Sequence, residues 1–162
     1  MAGTEPACVR TPFWTDTMSR PGTHEIMMTV AEVFATRSTC ARRQVGCVIT
    51  SKTNRILSTG YNGTPSKFTH CTDNPCPGSQ YPSGKGIDFC EAVHAEQNAL
   101  VNVSDILIAH HVYVTTLPCV SCIKLLINTP IKQLYFRNSY AEADRTLELW
   151  LRDPTRSVHM LD

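Results

Sequence analysis

Residues 92–137, AVHAEQNALVNVSDILIAHHVYVTTLPCVSCIKLLINTPIKQLYFR, hold two helices and two strands in strict alternation. Ala95, Ala99 and Leu100 share one face at helical spacing, which predicts a helix from Ala92 to Val103. His111–Thr115 reads as a strand. Pro118 can start, and Pro130 stop, a short helix from Cys119 to Asn128. Lys132–Arg137 is the next strand. Helices of this length between apolar strands suit a sheet whose strands are joined by crossovers.

The flanks extend this pattern. Upstream, Val45–Thr50 is a nearly unbroken apolar run, as expected of a strand buried on both faces. Arg55–Gly60 forms its hairpin partner across Lys52-Thr53-Asn54. From His24 to about Arg37, Ile26, Met27, Val30, Val33 and Phe34 recur at helical spacing, with Thr23 as the expected N-cap. Downstream come a helix over Ala141–Leu151 and a short strand over Ser157–Met160. The order α-β-β-α-β-α-β-α-β predicts a mostly parallel sheet covered on both faces, after one antiparallel hairpin. Residues 1–22, with their prolines and glycines and no periodicity, are expected to be a flexible extension, leaving 23–162 as a single domain.

Composition narrows the class. In 162 residues, 42% are hydrophobic, enough for one core, and 18% are charged, too few for long acidic or basic tails. Fifteen basic against fourteen acidic residues give +1, which weighs against a protein that coats nucleic acid, so no nucleic-acid partner is expected. No apolar run approaches a membrane span, and MAGTEPACVR lacks a basic start followed by an apolar stretch. These features point to a soluble, cytoplasmic protein. Its eight cysteines then read as thiols, and clustered thiols in a reducing compartment suggest metal. Cys8 falls in the extension, and Cys47, inside VGCVI, reads as a small core hydrophobe.

The chemistry lies at two helix starts. Cys119 and Cys122 are three apart and share a helix face, where the first-turn N–H groups favour thiolate. His94 and Glu96 are two apart and reach one site only from a first turn. His94, Cys119 and Cys122 supply three zinc ligands and leave the fourth tetrahedral position open for water, which marks a catalytic rather than a structural site. Glu96 is then the carboxylate able to shuttle protons. A Cys-x-x-Cys alone could be a redox pair or half of a structural site, and His-x-Glu alone is common. The joint order His-x-Glu…Pro-Cys-x-x-Cys is the signature of zinc-dependent base deaminases.

Together with Val45-Gly46-Cys47-Val48-Ile49 and Gly60-Tyr61-Asn62-Gly63-Thr64-Pro65, these motifs resemble the deoxycytidylate (dCMP) deaminase family of bacteria and large phages over about residues 24–160. The resemblance implies a three-layer α/β/α sandwich with a five-stranded mixed sheet. It implies hydrolysis of dCMP to dUMP, with Glu96 moving a proton from a zinc-activated water to N3 and then to the departing amine. It also implies that the Ala95 N–H and the Leu117 carbonyl hold the base edge, and that Asn62 binds the sugar. Arg42 and Arg137, each at a strand end, are expected to meet the phosphate.

Further expectations follow from the same resemblance. The loop from Tyr61 to about Cys90, roughly thirty residues, is too long to be idle. Cys40 and Cys71 resemble ligands of a second, structural Zn²⁺ in similar phage enzymes, and Cys76 and Cys90 are inferred to complete it; free thiols or an incidental disulfide are the alternative. A homohexamer activated by dCTP with Mg²⁺ and inhibited by dTTP is implied, with Tyr61, Asn62 and Gly63 at the effector and an Asn-Gly turn exposing backbone N–H groups. A tRNA adenosine or single-strand deaminase shares the zinc motif, but the near-neutral charge and the Gly-Tyr-Asn-Gly-x-Pro segment argue against it. A purely structural zinc module has no need of Glu96.

Overall fold

The computed structural model describes residues 20–82, 85–140 and 143–162. The expected extension therefore lies almost wholly outside the described residues, with Cys8, as do residues 141 and 142 at the expected start of the last helix. Helix α1 spans Thr23–Ala35 and is entered through Gly22 rather than Thr23. The Gly22 N–H donates to Glu25 Oε2 at 2.7 Å, so a carboxylate from the first turn closes the helix start.

Strands β1 (Gly46–Ser51), β2 (Ile56–Tyr61), β3 (Ala109–Thr116), β4 (Gln133–Asn138) and β5 (Ser157–Met160) form one sheet in the order β2-β1-β3-β4-β5. β1 is antiparallel to both β2 and β3, whereas β3, β4 and β5 run parallel. The sheet is thus more evenly mixed than a single hairpin followed by parallel strands. Helix α2 (Ala95–Val101) carries the chain from β2 to β3, and such a crossover keeps its two strands in the same direction. β1, inserted between them, opposes both.

Alternation along the strands divides two cores. Val48, Tyr113 and Tyr135 face α1, where Met28 and Ala31 are fully buried. Cys47, Ile49, Val112, Val114, Leu134 and Phe136 face α2, α3 (Val120–Ile127) and α4 (Ala143–Leu151), which contribute Ala95, Ala99, Ile123, Leu126 and Trp150. Coverage of both faces is why the strands read as unbroken apolar runs. The result is the α/β/α sandwich, and Cys47 is the core residue expected.

α1 buries only part of the stripe its periodicity suggests, Met27 and Val30 packing against the core. Met28, Ala31 and Ala35 face the sheet, while Ile26 and Val33 are 41% and 60% exposed. A Cβ on Gly46 would collide with the Ala31 carbonyl oxygen, so the helix backbone rests on the strand at Ala31 and Ala35, where a larger side chain has no room. Gly60 serves α2 in the same way, since a Cβ there would strike the Ala95 carbonyl. That contact sets the height of the α2 start above the sheet.

On the α1 face, Tyr113, Tyr135 and His159 lie side by side in register across β3, β4 and β5. His24 stacks on Tyr135 at 4.4 Å and its Nδ1 lies 2.8 Å from the Tyr113 hydroxyl. His111 Nδ1 meets Thr50 Oγ1 at 3.1 Å and the Ser51 carbonyl at 3.0 Å. Burial pulls both histidines below the usual imidazole range; His159 adds to this for His24, and the Ser51 carbonyl partly opposes it for His111. The fold therefore favours neutral imidazoles, and between the depressed value and the unfolded one, about 6.5, the unfolded chain binds more protons. Stability is complete above that value and lost as pH falls through it. The thermal midpoint should drop from pH 7 to pH 5, less steeply in His24→Gln; a midpoint that is flat or rises over this interval would contradict the assignment.

Candidate active site

Val93 exchanges backbone hydrogen bonds with Gly63 at 2.8 and 3.1 Å, and this bridge delivers His94 to the α2 N-cap in extended conformation. α2 begins at Ala95, three residues later than its periodicity suggests, so His94 precedes the helix and Glu96 lies in its first turn. Gln97 and Asn98, which follow Glu96 in the motif, secure this start. Gln97 Oε1 accepts from the His94 backbone N–H at 2.9 Å, and Asn98 Nδ2 donates to the Tyr61 carbonyl at 2.8 Å. Gln97 was legible in principle, because an acceptor three residues after an N-cap is a capping-box position. Cys119 caps α3. Its approach is held by Leu117 N–H on the Asn138 carbonyl, 2.8 Å, and by the Tyr140 hydroxyl on the Pro118 carbonyl, 3.1 Å.

The two helix starts converge. His94 Nδ1 lies 3.6 Å from Cys119 Sγ and 3.4 Å from Cys122 Sγ, with all three donors within 4.8 Å of one another. Zn–S and Zn–N bonds of about 2.3 and 2.0–2.1 Å at tetrahedral angles give N···S edges of about 3.6 Å. The two N···S distances thus suit zinc, and the three donors are one short of the four ligands zinc takes. Glu96 is 4% exposed.

Their electrostatics anticipate a cation. The Cys122 thiol donates to Cys119, whose own thiol is pulled down to about 4 by that bond, assisted by His94. Cys122 correspondingly keeps its proton well above the usual thiol range, and His94 is raised by its bond to Cys119. Burial raises Glu96, opposed by the backbone N–H at the helix start and by His94. Two sulfurs and an imidazole sharing protons in a closed site are what a dication displaces when it binds.

The other expected site residues fall in several places. Ala95 and Leu117 are buried beside the donors in sequence, at 0% and 2% exposure. Asn62 Oδ1 accepts from Val45 N–H and its Nδ2 donates to the Arg43 carbonyl, both at 2.8 Å, so both ends of its amide tie down the chain before β1. The expected Asn-Gly turn is absent: neither Asn62 nor Gly63 has positive φ. Their N–H groups are not exposed but bonded to the Val45 and Val93 carbonyls, because this stretch continues as a bridge into α2. Arg42 Nη2 donates to the Pro82 and Lys85 carbonyls at 2.5 and 3.2 Å, and Arg137 pairs with Glu32. Of the loop cysteines, Cys71 and Cys76 are buried with their sulfurs 3.6 Å apart, Cys40 is buried, and Cys90 is half-buried. Among the described residues no three of these four meet within 4.8 Å.

Residues 21–138 match the cytidine and deoxycytidylate deaminase zinc-binding region. The chain belongs to this family. Deoxycytidylate deaminase of Schizosaccharomyces pombe is 36% identical over 134 residues, covering 80% of this chain and 41% of the yeast protein. Deoxycytidylate deaminase of Mycobacterium phage D29 is 39% identical over 127 residues, 74% of this chain and 97% of the phage protein. The chain thus spans about two fifths of the length of the fission-yeast relative but nearly all of the phage one. Among solved structures, dCMP deaminase from cyanophage S-TIM5 in complex with dCMP and dUMP superposes with a TM-score of 0.68 at 30% identity, covering 89% of this chain and all of that one. The chain therefore carries a zinc-binding deaminase domain, in which His94, Cys119 and Cys122 gather three donors able to hold a metal ion.

Proposed function

We propose that this domain hydrolyses dCMP to dUMP and ammonia. The observation that carries this is the buried Glu96 two residues from His94, beside three donors from His94, Cys119 and Cys122 that lie within 4.8 Å of one another. A zinc ion held by His94, Cys119 and Cys122 would supply a polarised water. Glu96 takes a proton from the water, delivers it to N3 of cytosine and then helps protonate the leaving amine, one group serving twice. The Ala95 N–H and the Leu117 carbonyl grip the base edge, Asn62 meets the sugar, and Arg137 and Arg42 receive the phosphate. The names of the yeast and phage relatives and the nucleotides bound to the cyanophage enzyme favour dCMP over cytidine or an RNA base.

Regulation is the finer part of the proposal. Its elements are a homohexamer, activation by dCTP with Mg²⁺, inhibition by dTTP, and a role in supplying dUMP for thymidylate synthesis in the cytoplasm. Among the described residues no helix is long and apolar enough to cross a membrane. A cleft of about 370 Å³ beside the expected effector segment is lined by Tyr61, Gly63, Thr64, Lys67, His70 and Asn98. Asn98 also bonds the Tyr61 carbonyl, which gives the cleft a direct tie to the helix bearing His94 and Glu96. A second zinc held by Cys40, Cys71, Cys76 and Cys90 would anchor the loop next to it. It is supported by the buried Cys71–Cys76 pair, whose sulfurs lie 3.6 Å apart.

Ammonia release should be measured across cytidine, CMP, dCMP, dCTP and a tRNA anticodon stem, with and without dCTP–Mg²⁺ or dTTP. dCMP should be the preferred substrate, with sigmoidal kinetics that become hyperbolic in dCTP, since an activator favours the competent state before substrate arrives. Preference for the anticodon stem would overturn the substrate. Hyperbolic kinetics unmoved by either triphosphate, in protein sedimenting as a monomer, would overturn the regulation.

A further inference from the structure

Arg137 leaves β4 on the face covered by α1, one residue after Phe136 enters the opposite core. Register places it between the Val114–Phe136 and Thr116–Asn138 pairs, at the strand end where Leu117 and Pro118 lead into Cys119. Its Nη1 donates to Glu32 Oε1 of α1 at 2.5 Å, with 31% and 38% of the two side chains exposed. Its Nε is buried and has no hydrogen-bond partner among the described residues. A buried donor without an acceptor is costly, and native structures rarely leave one unpaired.

A guanidinium presents a fork in which Nε and one Nη donate in parallel to two oxygens of a carboxylate or phosphate. Glu32 occupies Nη1 alone, so the Nε–Nη2 edge carries no hydrogen bond to the described residues. We propose that Glu32 is a positioning residue for oxyanion recognition: it holds Arg137 by Nη1 and leaves the Nε–Nη2 edge without a competing acceptor, to pair with two oxygens of the nucleotide phosphate. Its carboxylate also neutralises the guanidinium while no ligand is bound. The inference rests on Arg137 as a phosphate contact, and goes beyond it in giving Glu32 a function and naming the edge used.

The test is steady-state kinetics on dCMP and on deoxycytidine, which lacks the phosphate, for Glu32→Ala, Glu32→Gln, Arg137→Ala and the Glu32→Ala/Arg137→Ala double variant. Glu32→Ala should raise KM for dCMP about tenfold with kcat within about twofold, a loss of binding rather than of chemistry. Glu32→Gln, which keeps an acceptor for Nη1, should stay within about threefold of wild type, and deoxycytidine turnover should not respond to either change. Arg137→Ala should raise KM for dCMP further, and adding Glu32→Ala should cost nothing more, as two residues acting through one contact require. If Glu32→Ala leaves KM unchanged or lowers it while Arg137→Ala raises it, the role of Glu32 is overturned and the phosphate contact stands. If Arg137→Ala leaves KM unchanged, both fall.

Discussion

Glu96→Ala should lower dCMP turnover by at least about 10²–10⁴-fold, the range for a single general acid–base group, and towards the upper end because this one acts on two proton transfers. The effect should appear in kcat, with bound zinc retained, because Glu96 is not among the three donors gathered at His94, Cys119 and Cys122. Glu96 is buried in the first turn of α2, where no other described carboxylate lies within two residues of His94 to take its place. Glu96→Gln, which preserves volume and one hydrogen-bonding oxygen, should be impaired by a similar factor, separating proton transfer from packing. Activity of either variant within about tenfold of wild type would remove Glu96 from the chemistry.

Cys122→Ala should reduce dCMP deamination to background and release the zinc held with His94 and Cys119. The thiol is fully buried and lies 3.4 Å from His94 Nδ1, so no water can take its place without opening the α2–α3 contact. Metal content per chain is the decisive measurement, because it also reports on the loop. If Cys40, Cys71, Cys76 and Cys90 hold a second ion, wild type carries two zincs and Cys122→Ala one, whereas Cys71→Ala keeps the catalytic ion. A single zinc in fully active wild-type protein would eliminate the loop site, and an active Cys122→Ala protein would eliminate the catalytic one.

Both tests bear on a site that was largely legible in advance, for a local reason. Cys119 and Cys122 share a face because they are three residues apart at a helix start, and His94 with Glu96 can converge only around a first turn. These constraints act over one turn of backbone and are written in neighbouring residues. The strands were visible for a related reason: burial on both faces leaves Val45–Thr50 and His111–Thr115 with almost no polar interruption. The motifs gave no role to what steadies the site, namely Gln97 on the His94 N–H and Asn98 on the Tyr61 carbonyl.

The sequence by itself therefore determined the element order, the sandwich class and the His94, Glu96, Cys119 and Cys122 constellation. Only the tertiary structure decided which faces and partners the remaining residues take. The apolar positions of α1 admit more than one inward face, and it was the contact of its backbone with Gly46 that selected Met28, Ala31 and Ala35 over Ile26 and Val33. β1 became antiparallel on both sides because the α2 crossover aligned β2 with β3 around it. Arg137 meets Glu32 across 105 positions of sequence, and Arg42 reaches Pro82 across 40. Charges so far apart carry no local signature of each other: a long side chain can point to any group within reach, and only the packed backbone decides which group that is.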